Sequence, residues 1–173
     1  MTDNGLPETD SDVSDENTNF TLLQPSRKKV GPGEVFTFQL LDGPFRFGRV
    51  IATGLPAPMP NSTLLYIYRA EAADPTDPPL DRLVPDDLLI APMFANHQGW
   101  LRGFFKTVLH QPIQPTDLLA THCFFEIARK IYRNEKGQRL SGPSDPCGSW
   151  SMASHRGVDD AVSQALGLPL APD

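Results

Sequence analysis

The sequence predicts a mainly β fold of the α+β class: a single twisted antiparallel sheet, or a partly open barrel, with one C-terminal helix. Three observations lead to this prediction. Two runs rich in Phe and Val flank Asp42-Gly43, and an Asp-Gly pair between alternating apolar runs is a strong β-hairpin signal. The 18 Pro and 13 Gly residues are scattered along the chain, which disfavours long helices. A stretch close to the C-terminus has helical spacing of its apolar residues.

The hairpin at residues 34–51 is expected to be the unit around which the rest of the chain packs. Because alternate side chains of a strand share a face, one set of apolar residues is expected to form the buried face of the hairpin: Phe36, Phe38, Leu40, Phe45 and Phe47. Gly48 interrupts the alternation, so a bulge is expected there. That bulge would turn Arg49 outward and return Val50 to the apolar face.

Shorter patterns predict the remaining elements. Residues 63–69 are apolar on both faces, which is typical of a strand at the centre of a sheet. Residues 100–109 are predicted to be a strand, with a bulge or a close backbone approach at Gly103. Residues 157–166 have the apolar stripe of a helix, and Gly167 suits its C-cap. Short strands are also predicted at residues 88–94, 121–127, 130–132 and 148–152.

The net charge of -6 is concentrated at one end of the chain. Residues 1–20 contain six acidic and no basic residues, which leaves 15 acidic and 15 basic residues in positions 21–173. Such a polar, acidic segment cannot bury enough apolar surface to offset the entropy of ordering. We therefore predict a disordered acidic tail at residues 1–26, one β domain at residues 27–168 and a short tail at residues 169–173. The neutral body argues against nucleic acid as the main partner, since phosphate binding needs a basic face.

Three features of the sequence, its hydropathy, its N-terminus and its cysteines, bear on the cellular compartment of the protein. No run approaches the roughly 18 consecutive apolar residues of a membrane span, and the acidic N-terminus lacks the basic start and apolar core of a signal peptide. We therefore expect no membrane partner and predict a cytoplasmic protein. A single pair of cysteines without an export signal is weak evidence for a disulfide, so Cys123 and Cys147 are predicted to be free thiols.

Residues 71–87, which we call the acidic loop, differ in composition from the rest of the body. Six acids and one base, Arg82, are interleaved there with four prolines. The prolines predict a semi-rigid surface loop. Its acids are candidates for contact with a partner, and the alternative is a solvated loop in which Asp residues have turn roles. The six acids are Glu71, Asp74, Asp77, Asp81, Asp86 and Asp87.

Sequence motifs for catalysis or for a cofactor are missing. The four histidines are far apart and do not have the spacing of a zinc site, so no metal and no cofactor is expected. No nucleophile elbow, phosphate-binding glycine loop or dinucleotide fingerprint occurs, and the protein is predicted not to be an enzyme. Two alternatives remain open. One is a small hydrolase that uses Cys147 or a histidine; the other is a sheet-based nucleic-acid module, in which exposed aromatic rings would be surrounded by Arg46, Arg49, Arg102 and Lys106.

Four short motifs together resemble the immunity protein 26 family of bacterial polymorphic toxin systems. They are Gly-Glu-Val-Phe at residues 33–36, Phe-Arg-Phe-Gly-Arg-Val at 45–50, Leu-Tyr-Ile-Tyr at 65–68 and Gly-Trp-Leu-Arg-Gly-Phe at 99–104. The similarity is expected to span roughly residues 30–166. The family's motif positions map onto residues that look like fold determinants rather than a reaction centre: Phe47, Gly48, Arg49, Val50, Trp100, Gly103 and Phe104.

This resemblance implies a mainly β protein, made beside a toxin gene, that binds the toxic domain and blocks it inside the producing cell without catalysis. If the toxin is a nuclease, its substrate groove should be basic, and the acidic loop would be the surface suited to fill that groove. The acidic loop is not part of the family's pattern, so its six acids are the predicted partner-binding residues because of their charge.

Overall fold

Many of the segments that connect the strands and helices contain Gly or Pro. A computed structural model describes residues 17–173. The strands are β1 (Glu34–Gln39), β2 (Phe45–Leu55), β3 (Ser62–Ala72), β4 (Met93–Ala95), β5 (Lys106–His110), β6 (Cys123–Glu126), β7 (Ile131–Arg133), β8 (Cys147–Ser149) and β9 (Met152–Ala153). The helices are α1 (Gln98–Leu101) and α2 (His155–Ala165), and short 3₁₀ turns occur at Leu80–Arg82, Pro85–Asp87 and Pro115–Asp117.

The strands form two sheets. The larger sheet has the order β5-β1-β2-β3-β4-β9 and is antiparallel except for the parallel pair β4 and β9. The smaller sheet has the order β7-β6-β8, and β6 and β8 are parallel. The predicted fold class, mainly β with one C-terminal helix, is confirmed, although the strands divide between two sheets and no barrel closes within residues 17–173.

The predicted hairpin is confirmed as the antiparallel pair of β1 and β2. Its register places Gly48 opposite Phe36 and Phe47 opposite Thr37. Residues directly opposite each other share a face, so Phe47 packs on the other side of the sheet from Phe36. The expectation that Phe45 and Phe47 share the buried face of Phe36 is therefore wrong, because a shift of one residue in register exchanges the faces of a strand.

An irregularity does occur at the predicted bulge, but on the other edge of β2. The pairing of β2 with β1 is regular, whereas its pairing with β3 shifts register between Arg46 and Gly48. The alternation of faces along β2 continues through Gly48, so Val50 packs with Phe36. Arg49 is only 1% exposed, and the prediction that it turns outward is wrong because the smaller sheet and residues 111–117 cover that face.

Both faces of the larger sheet are buried, and β3 contributes to both. We call the cluster against α1 and α2 the helix-side core; it includes Phe36, Phe38, Val50, Leu65, Ile67, Trp100, Phe105, Val158 and Val162. The cluster against the smaller sheet is the sheet-side core, and it includes Val35, Phe47, Leu64, Tyr66, Tyr68, Phe94 and Phe124. The prediction of a central strand at residues 63–69 is confirmed. Full burial of such side chains stabilises the fold by about 1.5–3 kcal/mol each.

The strand predicted at residues 100–109 is wrong in its first half. Trp100 lies in α1, and β5 begins only at Lys106. Trp100 and Phe104 are four residues apart, a spacing that fits the period of a helix as well as that of a strand. The close approach predicted at Gly103 is confirmed, since a Cβ there would lie 2.5 Å from the backbone N of Pro25.

The other predicted elements are close to the observed ones. The stripe at residues 157–166 corresponds to α2, and Gly167 follows it with a φ of 70°. The predicted strands at 121–127 and 130–132 correspond to β6 and β7, while the stretch at 148–152 contains parts of β8 and β9. The strand predicted at 88–94 is shorter and begins at Met93. Between residues 17 and 173, no helix is long and apolar enough to cross a membrane.

Residues 1–16 of the predicted acidic tail lie outside the described residues. The next ten residues lie against the β domain: Phe20 is 5% exposed, and the backbone N–H groups of Leu23 and Gln24 donate to the carbonyl of Gly103. The proposed boundaries of the tails and the domain stay predictions.

Candidate functional site

The acidic loop leaves the larger sheet at the end of β3, beside β2. Glu71 is paired in register with Arg46, and their side chains form an ion pair at 3.1 Å. The Glu71 side chain is 51% exposed. An exposed pair of this kind contributes little to stability, about 0–1 kcal/mol. Its effect on the loop is to compensate the charge of Glu71 within the molecule.

Asp74 determines the shape of the first part of the loop. Its Oδ1 atom accepts hydrogen bonds from the hydroxyl of Thr76 at 2.7 Å and from the backbone N–H of Thr76 at 2.8 Å. These two bonds lower the pKa of the Asp74 carboxyl, the hydroxyl having the larger effect. The pattern is an Asx turn. Asp74 therefore has a turn role, which is the alternative that the sequence left open.

The second part of the loop consists of the two 3₁₀ turns at Leu80–Arg82 and Pro85–Asp87. Leu83 lies between them and is 2% exposed, so it anchors the loop in the sheet-side core. Arg82 and Asp87 form an ion pair at 3.3 Å that joins one turn to the other. The two turns are thus fixed by one buried side chain and one ion pair.

Three acids of the loop have no partner in the described part of the chain. The side chains of Asp77, Asp81 and Asp86 are exposed, and no described residue forms a hydrogen bond or an ion pair with their carboxylates. Leu80 and Val84, close to them in the loop, are 41% and 36% exposed. Uncompensated charge next to exposed apolar side chains is typical of a surface that binds another protein.

A groove of about 540 Å³ borders the loop and extends the candidate surface. Asp86 of the loop and Asp145 of the segment before β8 both line it, together with Arg69 of β3. Leu88 and Leu119 supply apolar wall. Asp145 and Leu119 were not predicted from the sequence, because no local pattern reveals that distant segments meet beside the loop.

Tyr66, of the sheet-side core, forms with His122 and Glu135 a hydrogen-bonded chain that resembles a catalytic site. The Tyr66 hydroxyl hydrogen-bonds His122 Nε2 and accepts from the backbone N–H of Leu119 at 3.1 Å, while His122 Nδ1 lies 3.1 Å from a Glu135 carboxylate oxygen. Tyr66 is 0% exposed, and burial raises its pKa to about 12. A protonated, buried hydroxyl is a poor nucleophile or base. These bonds instead join β3 to β6 and to the turn after β7.

Arg49 is a second buried polar residue with a structural role. Its guanidinium donates to the carbonyls of Gln111 and Pro112 at 2.7 and 3.0 Å and pairs with Asp117 at 3.2 Å. Nearby, burial raises the pKa of the Tyr68 hydroxyl. Arg49 therefore fixes residues 111–117 on the sheet and is not available to a ligand.

The burial of the aromatic rings contradicts the alternative of a nucleic-acid module. That alternative requires exposed rings with Arg49 at their edge, but Phe36, Phe38 and Phe47 are each 0% exposed. No stacking surface for bases can form from side chains inside the two cores.

The thiol alternative also lacks support from the geometry. Cys123 and Cys147 are free thiols on register partners of β6 and β8. Burial, with a further contribution from Cys123, raises the pKa of Cys147 to about 12, whereas a nucleophilic cysteine needs a lowered pKa. Among residues 17–173, no cluster of His, Cys, Asp and Glu is placed to bind a metal.

Comparison with known proteins gives one match. A family model described as Immunity protein 26 matches residues 31–133, which is more than half of the chain. The matched range contains the hairpin, β3 and the entire acidic loop, but it ends before α2, although the resemblance was expected to continue to residue 166. Neither the curated proteins nor the solved structures contain a significant match. From the extent of the family match, the chain belongs to the Immunity protein 26 family.

Proposed function

We propose that this protein is an antitoxin that binds a cognate bacterial toxin domain and occludes it, without catalysis, in the cytoplasm of the cell that makes both. Membership of the Immunity protein 26 family supports the class of protein. The partner, the mechanism of occlusion and the compartment are our proposal.

The acidic loop is the proposed contact surface. The observation that carries this assignment is the combination of three unpartnered carboxylates, Asp77, Asp81 and Asp86, with the exposed side chains of Leu80 and Val84. The remaining predicted site residues, Glu71, Asp74 and Asp87, have partners within the described part of the chain and shape the loop. Asp77, Asp81 and Asp86 are therefore the acids of the loop whose carboxylates are free to form new contacts with a toxin.

A toxin with a basic surface, such as a nuclease with a phosphate-binding groove, has the complementary charge. Attraction between opposite charges accelerates encounter and is weakened by salt, whereas apolar burial and close packing slow dissociation. In this scheme the carboxylates govern mainly the association rate constant. Leu80 and Val84 would contribute mainly to the dissociation rate constant.

The loop assignment is tested with matched charge variants. The first variant is Asp77→Asn, Asp81→Asn, Asp86→Asn, and the control removes the same charge from exposed acids elsewhere, as Asp42→Asn, Asp160→Asn, Asp173→Asn. Binding to the toxin domain encoded by the adjacent upstream gene is measured by surface plasmon resonance at low and physiological salt. We expect the loop variant to associate at least about tenfold more slowly at low salt, while the control stays within about twofold. Equal rate constants for the two variants would exclude the loop as the contact surface.

The antitoxin function has a separate test that does not depend on the loop. Purified protein is titrated into an assay of the toxin domain. Occlusion predicts complete inhibition at one equivalent, an unchanged mass of the toxin domain, and full activity after the complex is separated and the toxin refolded. Protection at a small fraction of an equivalent would contradict occlusion and indicate a catalytic mechanism.

A further inference from the structure

A second charged groove, which we call the basic groove, lies at the start of the larger sheet. Arg27 and Lys28 of the segment before β1 line it together with Trp100 of α1 and Lys106 of β5. Its volume is about 750 Å³.

The basic groove has an excess of positive charge. Arg27, Lys28 and Lys106 are exposed, and no described residue places a carboxylate within ion-pair distance of them. The acid among the lining residues is Glu34, whose carboxylate accepts a hydrogen bond from the backbone N–H of Gly31. Three cations and one carboxylate leave the groove with a net positive charge, which suits an anionic ligand.

The same chain supplies a segment of complementary charge. Residues 1–16 precede the described residues and contain no base. Their six acids are Asp3, Glu8, Asp10, Asp12, Asp15 and Glu16. Because the described chain runs from Asn17 to the groove within a few residues, this segment is attached close to the cations.

The described chain is bound to the β domain and α2 at two points between Asn17 and the groove. Thr18 and Asn19 donate to the carboxylate of Asp159 on α2, and Phe20 forms a β-bridge with Leu40. Gln24, only six residues after Thr18, already lines the groove. Six residues span at most about 20 Å and sixteen extended residues about 50 Å, so a segment of this length can reach the groove. Such a tether gives an effective concentration in the millimolar range, at which weak ion pairs are sufficient.

We propose that residues 1–16 bind in the basic groove of their own chain, as an intramolecular anionic ligand of Arg27, Lys28 and Lys106. The bound segment compensates the positive charge of the groove. The acidic loop then remains as a charged surface open to a partner. This inference does not rest on toxin binding and can be tested on the isolated full-length protein.

Zero-length carbodiimide cross-linking tests the proposal, because the reagent joins carboxylates only to lysines in direct ion-pair contact. The full-length protein is treated at low salt, and the linked peptides are identified by mass spectrometry. Lys106 is the informative target, since it is distant from the tail in sequence, and the exposed Lys130 and Lys136 are matched controls. We expect links from residues 1–16 to Lys106 at least fivefold more often than to the two controls. The yield should be independent of protein concentration and should be lost in 0.5 M NaCl, where the Debye length is only about 4 Å.

A variant of the groove distinguishes binding of residues 1–16 to its cations from the mere proximity of the segment to Lys106. In the full-length variant Arg27→Gln, Lys28→Gln, the tether and Lys106 are unchanged, but two of the three cations are removed. Both side chains are exposed, so the fold should be retained. We expect the Lys106 cross-links to fall at least threefold. Unchanged Lys106 cross-links in this variant, or equal links to Lys106 and to the two control lysines, would overturn the proposal.

Discussion

At the scale of single residues, Gly48 is required by packing rather than by backbone conformation. It lies opposite Phe36 in the hairpin register, and the Phe36 ring covers it, so that an added Cβ would be 2.3 Å from Phe36 Cζ. Its φ lies outside the left-handed region. The sequence indicated that Gly48 is special, but it predicted a bulge. The covering ring could not be predicted, because it is determined by strand register and not by local pattern.

We expect Gly48→Ala to lower the free energy of unfolding by about 1–3 kcal/mol, because the buried Phe36 ring must move to make room. Gly142→Ala is a matched control, since nothing lies within 4 Å of a Cβ there, and it should change stability by less than about 0.5 kcal/mol. Urea unfolding followed by circular dichroism measures both. In the double variant Phe36→Leu, Gly48→Ala, the cost of the new methyl group should be smaller. Equal effects of Gly48→Ala and Gly142→Ala would show that the ring does not fill this space.

Tyr66 leads to a prediction about alkaline pH. Its pKa is 10.0 in the unfolded chain and about 12 in the folded protein, mainly because of burial. As the pH rises from 10 to 12, the unfolded state loses this proton first and is favoured. The stability that Tyr66 contributes is therefore complete below pH 10 and is lost as the pH approaches 12, by up to about 2 kcal/mol.

Urea midpoints at several pH values between 9 and 12 measure this loss. Tyr66→Phe has no proton to lose at this position, so its stability should fall less steeply over the same range. At pH 8 its free energy of unfolding should be lower than that of the unchanged protein by about 1–3 kcal/mol, because His122 and the Leu119 amide lose a hydrogen-bond partner. Parallel pH curves for the two proteins would refute the assignment of the alkaline loss to Tyr66.

At the scale of elements, helix α2 connects the N-terminal segment to the β domain. Asp159 is 1% exposed, and its carboxylate accepts from the hydroxyl of Thr18 at 2.8 Å, the backbone N–H of Asn19 at 2.7 Å and the hydroxyl of Ser163 at 2.8 Å. The apolar stripe predicted the helix itself. It did not predict this buried carboxylate, because its partners at residues 18 and 19 are remote in sequence.

We expect Asp159→Asn to loosen the N-terminal segment from α2, because the charge of the acceptor is lost and an amide can accept hydrogen bonds at only one of its two terminal atoms. The free energy of unfolding should fall by about 1–3 kcal/mol. Hydrogen exchange should also accelerate at the amides of Asn19 and Thr21, which are bonded to Asp159 and to the Gln39 carbonyl. The neighbouring exposed residue gives the control Asp160→Asn, for which neither change is expected. Unchanged exchange at Asn19 in Asp159→Asn would contradict the connecting role.

At the scale of the whole molecule, the sequence predicted the class of the fold and the loop but not how the parts meet. Alternation and turn residues are local signals, and they identified the hairpin, β3 and α2. The division into two sheets, the burial of Arg49 and the approach of Asp145 to the acidic loop depend on long-range packing. Five of the six predicted acids lie in the segment after β3, and Glu71 lies at the end of β3 itself. Their separation into partnered and unpartnered residues required side-chain positions, such as the pairing of Arg82 with Asp87.

Alternate side chains of β3 belong to the two cores, and this predicts that the two sheets unfold together. Leu65 and Ile67 lie in the helix-side core, whereas Leu64 and Tyr66 lie in the sheet-side core. Phe124 of the smaller sheet packs against Phe94 with ring centroids 4.3 Å apart. Separating the smaller sheet would expose these rings to water, which costs too much free energy for the larger sheet to remain folded alone.

The chain has two tryptophans, and each reports on one side of the larger sheet. Trp100 contacts Phe36 in the helix-side core, and Trp150 contacts Phe94 and Phe124 beside the smaller sheet. In the variants Trp100→Phe and Trp150→Phe, the remaining tryptophan fluorescence and the far-ultraviolet circular dichroism should give the same urea midpoint, because each variant unfolds in one cooperative transition. A Trp150 midpoint well below the circular dichroism midpoint in Trp100→Phe would instead mean that the smaller sheet unfolds first, and that the two cores are not coupled through β3.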